Sequence, residues 1–117
     1  MKFQGVHHVS LNVHDADEVA AFYIDVLGLE KLPRPDFGIP GVWMQCEGQQ
    51  IHLIEVPEHE APKGQHFAFR VADIDATVSE LRDAGVQVSD PMRIPDVGRQ
   101  CFLHDPAGNM LELNQPD

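Results

Sequence analysis

Basic residues are scarce in this sequence: eight Lys and Arg stand against nineteen Asp and Glu, a formal charge of −11 at pH 7. Such a surface repels phosphate backbones and anionic lipid headgroups, so neither nucleic acid nor a membrane is expected as a partner. Cysteine is rarer still. Cys46 and Cys101 lie far apart, in neither a CxxC nor a metal-type spacing, and read as separate reduced thiols on strands. Long apolar runs are missing too: the opening MKFQGVHHVS has no secretory-type stretch, and nothing elsewhere approaches the roughly 18 apolar residues of a membrane span. A cytoplasmic location is expected.

What the sequence does contain is histidine, seven in 117 residues, and a repeat that organises them. The length suits one domain that buries roughly two-thirds of the surface its unfolded chain exposes. At an offset of 58, His8, Val13, Asp15 and Asp17 fall over His66, Val71, Asp73 and Asp75. A one-residue slip pairs Gly28 with Gly85, and an offset of 60 pairs Gly48, Ile51, His52 and Leu53 with Gly108, Leu111, Glu112 and Leu113.

Each half reads as β, α, β, β, β. VHHVSLNV alternates, sending Val9, Leu11 and Val13 to one face and His8, Ser10 and Asn12 to the other. Asp15 is the expected N-cap, with Glu18 three residues on, of a helix whose apolar residues Val19, Phe22, Tyr23 and Val26 recur until Gly28 stops it. Strands are expected at about Glu30 to Pro33, Val42 to Glu47 and Gln50 to Val56, the last two joined at Gly48. In the second half HFAFRV is a strand and Asp73 to Ala84 a helix. Further strands are expected at Val86 to Ser89, Gln100 to His104 and Met110 to Asn114. The expected organisation is one domain over 1–117, with module one at about 5–56, a Pro- and Glu-rich linker at about 57–64, and module two at about 65–115. Arg34 to Gly41, rich in Pro and Gly, is expected to be irregular and to line or cover a pocket, and Pro91 to Arg99 is the second pocket-defining segment.

Strand alternation places His8 and His66 on the polar faces of their first strands, and His52 and Glu112 at equivalent positions in their last strands. Each half thus offers two candidate ligands. Three imidazoles and one carboxylate meeting about a pseudo-twofold axis would make a mixed N/O site suited to Zn, Ni, Mn or Fe(II). Arg70 shares the face of His66 and is read either as a partner for an anionic substrate group or as half of an internal salt bridge. Ser10, Asn12 and Phe102 are candidate substrate contacts, and Phe37, Trp43, Met44 and Met110 are either pocket wall or core. His7 is expected on the face opposite His8, in a structural role, and His14, His59 and His104 in solvent.

The segments VHHVSLNVHDADEVAAFYIDVLG, QQIHLIEV, QHFAFRV and FLHDPAGNMLEL resemble the vicinal oxygen chelate superfamily, which includes glyoxalase I, methylmalonyl-CoA epimerase, extradiol dioxygenases, fosfomycin thiol transferases and bleomycin-binding proteins. The resemblance spans nearly the whole chain. It implies an α+β fold of two tandem βαβββ modules forming a half-barrel cup, usually in a homodimer. It also implies metal ligation at His8, His66 and Glu112. At the position of His52 glyoxalase I and the epimerase carry a fourth ligand, usually Glu or Gln; the histidine here departs from that pattern.

One divalent ion with open coordination positions would chelate two adjacent substrate oxygens and stabilise an enediolate or enolate. Glu112 is then the first candidate base and His52 the second, giving a lyase or an isomerase/epimerase of the glyoxalase I type. If His52 is not a ligand, His8, His66 and Glu112 form the facial triad of an Fe(II) dioxygenase. A third reading, of another class, is a metal-free protein that sequesters a drug or metabolite.

Overall fold

A computed structural model describes residues 1–117 of the protein. The elements are β1 (His8–Val13), α1 (Ala16–Ala21) continued by a π-helical turn (Phe22–Val26), β2 (Glu30–Leu32), β3 (Gly41–Cys46), β4 (Gln49–Glu55), β5 (His66–Arg70), α2 (Ile74–Asp83), β6 (Met92–Ile94), β7 (Gly98–His104) and β8 (Met110–Pro116). The class is α+β. The chain divides into two compact units, Met1–Glu60 and Ala61–Asp117. Each holds one open four-stranded sheet, ordered β1-β4-β3-β2 in the first and β5-β8-β7-β6 in the second. The first strand of each unit runs parallel to the last, and the other pairings are antiparallel. No helix is long and apolar enough to cross a membrane.

The two helices begin for the same reason. The Asp15 carboxylate accepts from the Glu18 amide at 3.0 Å, and that of Asp73 accepts from the Ala76 amide at 3.0 Å. A second device ties each helix start to the last strand of its unit: the Ala16 amide donates to Glu55 Oε1 at 2.9 Å and the Ile74 amide to Gln115 Oε1 at 2.8 Å. Glu55 and Gln115 are also related by the offset of 60. The first helix differs from expectation. It is α-helical only to Ala21 and then widens, with the Leu27 amide bonded to the Phe22 carbonyl five residues back. The widened turn keeps Tyr23 fully buried, and the Leu29 amide then closes on the Tyr23 carbonyl around Gly28, at φ +81°.

The core of the first unit joins Val13, Val19, Tyr23, Met44 and Leu53; that of the second joins Ile74, Val78, Leu103, Leu111 and Leu113. Exposure along β1 and β5 alternates as a half-buried strand requires, leaving His8, Ser10 and Asn12 on one exposed face and His66, Ala68 and Arg70 on the other. The β3–β4 hairpin turns on Glu47 and Gly48, both at positive φ, as the right-handed twist of the paired strands favours.

One strand lies elsewhere than expected. Val86 to Ser89 is not a strand: the Val88 carbonyl accepts from the Arg82 guanidinium at 2.8 Å, and Ser89 alone bonds to β7, its amide donating to the Phe102 carbonyl and its hydroxyl accepting from the Phe102 amide. Pro91, which lacks a donor, follows. The second strand of this half is instead Met92–Ile94, within the segment expected to define a pocket, and it turns tightly through Asp96 (φ +63°) into β7. Gly98 permits that turn, because a Cβ there would lie 2.2 Å from the Gln115 carbonyl oxygen.

Candidate active site

In the first unit the parallel pairing of β1 with β4 sets Ser10 opposite His52, and the antiparallel pairing of β3 with β4 sets Trp43 opposite His52. The result is a stack of three rings. His52 lies 4.0 Å from His8 at an interplanar angle of 17°, and 4.4 Å from Trp43 at 12°. Between them His52 is only 7% exposed. Burial, reinforced by the charges of His8, His7 and Arg34, holds its imidazole below the usual 6.5, so the ring is neutral at pH 7. A neutral ring can accept a proton or bind a metal.

The free nitrogens can be identified. His52 Nε2 lies 2.8 Å from Gln50 Oε1, which leaves Nδ1, and His8 Nδ1 lies 3.0 Å from His7 Nδ1, which leaves Nε2. This corrects the expectation for His7. It precedes β1, so strand alternation does not govern it, and it orients His8 from the same side.

In the second unit His66 and Glu112 meet directly. His66 Nδ1 donates to the Gly64 carbonyl at 2.8 Å, since a carbonyl can only accept. Its Nε2 faces Glu112 Oε1 at 3.1 Å, and Glu112 Oε2 accepts from Asn114 Nδ2 at 2.9 Å. Glu112 is buried, 8% exposed. Phe102, opposite Glu112 in the sheet, stands edge-on to His66 at 5.4 Å, whereas Trp43, opposite His52 in the other unit, stacks on its ring.

The remaining candidates are placed as follows. Ser10 is exposed beside the His52 register position, and Asn12 is exposed farther along β1. Arg70 ends β5, exposed, and the internal salt bridge considered for it is not formed. Met44 is fully buried, so it is core; Met110 is partly exposed at the start of β8. His14 pairs with Glu18 at 3.3 Å, and His104 is exposed. His59 departs from the solvated role expected of it: its amide donates to the Val56 carbonyl in a turn, and its Nε2 is buried with no partner. Both cysteines are free.

Neither unit by itself gathers three potential ligands. The second unit nonetheless fits half of a metal site. With Nδ1 carrying its proton, the His66 Nε2 lone pair would oppose a carboxylate oxygen unless a proton or a cation lay between them. His66 Nε2 and Glu112 Oε1, 3.1 Å apart, are a nitrogen and an oxygen donor close enough to bind one cation together. The outer contacts from Gly64 and Asn114 supply the second shell such ligands need.

The family profile of the Glyoxalase/Bleomycin resistance protein/Dioxygenase superfamily matches residues 5–113. The chain belongs to that superfamily. It is 30% identical to Glyoxylase I 4 of Arabidopsis thaliana, over 92% of this chain and 68% of that protein. It is 27% identical to the mitochondrial methylmalonyl-CoA epimerase of Homo sapiens, over 94% and 73%. Among solved structures it resembles TnmS3, an antibiotic-binding protein from Streptomyces sp. CB03234, with 29% identity, a TM-score of 0.83, and coverage of 100% of this chain and 99% of that one. The superfamily thus spans enzymes and binding proteins.

Sequence reasoning missed Arg34. It was absorbed into an irregular Pro- and Gly-rich segment, and the available signal was its own environment, a cation fixed between two prolines in a strongly acidic chain.

Proposed function

We propose that this superfamily member is a metal-dependent lyase or isomerase that removes a proton next to a carbonyl of a small substrate. The observation that carries the reading is the His66–Glu112 contact, with both outer atoms already tied to Gly64 and Asn114. His8, His52, His66 and Glu112 would hold one divalent ion, Zn, Ni, Mn or Fe(II), per chain; the stoichiometry is the same whichever chain of a homodimer supplies each pair. The ion would supply Lewis-acid stabilisation of charge developing on two adjacent substrate oxygens.

The chain's own groups do the rest. Glu112, aimed by Asn114, is the carboxylate that takes the proton. His52, neutral at pH 7 and buried between two rings, is the second acceptor. Trp43 stacks on His52 and Phe102 stands against His66, so each pair is flanked by an aromatic ring. Ser10, Asn12 and Arg70, on the exposed faces of β1 and β5, are the polar contacts for substrate.

Metal analysis of protein purified without added metal tests this, followed by titration of wild type and His66→Ala. About one ion per chain, lost in the variant, is expected; below about 0.2 per chain with no tight binding on titration, the reading fails. The likeness to an antibiotic-binding protein favours one second reading, a metal-free binder of a small molecule. The same measurement separates the two.

A further inference from the structure

We propose that Arg34 anchors an oxyanion, a carboxylate or phosphate carried by the substrate, in the cavity between β2 and β3 beside Trp43. The cavity has a volume of about 630 Å³ and lies wholly within the first unit. As a statement about substrate class this rests on the reading of the site as an active site; anion binding itself does not.

Arg34 sits between Pro33 and Pro35, whose rings fix the local backbone. Its guanidinium lies against Gly41, where a Cβ would come within 2.7 Å of Nη2 and 2.8 Å of Cζ, and its Cζ stands 5.0 Å from the centre of the Phe37 ring. Packing therefore holds the fork rigidly without using its donors. Its Nε is buried and has no hydrogen-bond partner.

No carboxylate neutralises this charge. Arg82, Arg93 and Arg99 are paired with Asp90, Asp117 and Asp75, whereas Arg34, like the exposed Arg70, has no ion pair in a chain carrying nineteen acidic residues, and Arg34 is the one whose Nε is buried. Asp17 and Asp36 line the same cavity, but neither is within ion-pair distance, and Asp36 is turned to accept from the Gly38 amide at 2.8 Å. A partly buried guanidinium with an orphaned donor is costly unless something completes it. A planar two-oxygen acceptor matches its geometry. Trp43 lines the cavity and stacks on His52, so an anion held there lies one indole away from the candidate site.

Trp43 is the only tryptophan and reports directly. Its emission is followed while inorganic phosphate, and separately succinate, replaces chloride at constant pH and ionic strength. The full chain is used, both as purified and after chelation. A saturable change is expected in both preparations, weakened roughly tenfold or more in Arg34→Gln and less in Arg34→Lys, with Arg93→Gln as wild type. Thermal melting checks that the variants fold. No saturable change in wild type, an unaltered response in Arg34→Gln, or a response that disappears on chelation would overturn the proposal. His66→Ala distinguishes it from the metal reading, because metal binding falls there while the anion response persists.

Discussion

Replacing Glu112 by Gln separates its charge from its shape. In the wild type Oε2 accepts from Asn114 Nδ2 at 2.9 Å, so the new amide must keep its oxygen on that side or set two donors against each other. Its NH₂ then faces His66 Nε2. Because His66 Nδ1 already donates to Gly64, Nε2 of the neutral ring offers the lone pair that NH₂ requires. The variant is therefore a satisfied network with no proton or cation between the two side chains. Neutral hydrogen bonds of about 1 kcal/mol replace charge-assisted ones of about 2 kcal/mol, while the cost of burying a carboxylate disappears. The net change should stay within about 1 kcal/mol, roughly 3–6 °C in Tm for a chain of this size. Glu112→Ala differs: it strips both partners and opens a cavity, a loss of about 2–4 kcal/mol. Metal affinity should fall in both, by more than the roughly 10–100-fold associated with an outer-sphere partner. Thermal melts of chelated protein and calorimetric metal titration measure the two quantities. If Glu112→Gln melts as low as Glu112→Ala, or binds metal like the wild type, the assignment of donors and acceptors around His66 is wrong.

Three further outcomes follow from particular contacts. Because the His52 imidazole in the folded chain titrates below the unfolded value of 6.5, the unfolded state takes up the proton first. Stability of chelated protein should hold above pH 6.5 and decline as pH falls through the lowered folded value, and urea melts across that range should show a shallower decline in His52→Gln. Asn114→Ala frees Glu112 Oε2 and should weaken metal binding roughly 10–100-fold with a small change in Tm; unchanged affinity in a calorimetric titration would remove Asn114 from the site. Gly98→Ala drives a Cβ to 2.2 Å from a backbone oxygen at φ +142°, and a loss of roughly 3 kcal/mol or more is expected by chemical denaturation.

The repeat made most of the fold legible. His8 and His66 begin strands that alternate as read, Asp15 and Asp73 cap their helices, and Gly48 and Gly108 turn the last hairpins. All of these are local signals, carried by spacing and by the backbone needs of single residues. What could not be read depends on contacts distant in sequence. Val86 to Ser89 has the composition of a strand, but the Arg82 side chain takes its carbonyl. The π-helical turn has no signal in the local residues and goes with the complete burial of Tyr23. Arg34 has meaning only once Gly41 and Phe37 are placed around it, and the Trp43–His52–His8 stack only once β3 and β4 are in register.

The two halves share a backbone plan but not an electrostatic one. His52 and Glu112 occupy equivalent positions, each walled by an aromatic residue on the neighbouring strand. In the first unit burial, followed by the charges of His8, His7 and, least, Arg34, depresses the affinity of the His52 ring for a proton. In the second a carboxylate is buried against an imidazole and an amide donor. A glutamate at position 52 would set a negative charge beside Trp43, within the field of Arg34, and oppose an incoming oxyanion. His52→Glu therefore discriminates between roles for Arg34. If that arginine serves an external anion, the variant should weaken the phosphate response of Trp43 while keeping or strengthening metal binding. If Arg34 is only a structural plug, the variant should leave any phosphate response as it was, and a titration of the two proteins side by side decides between them.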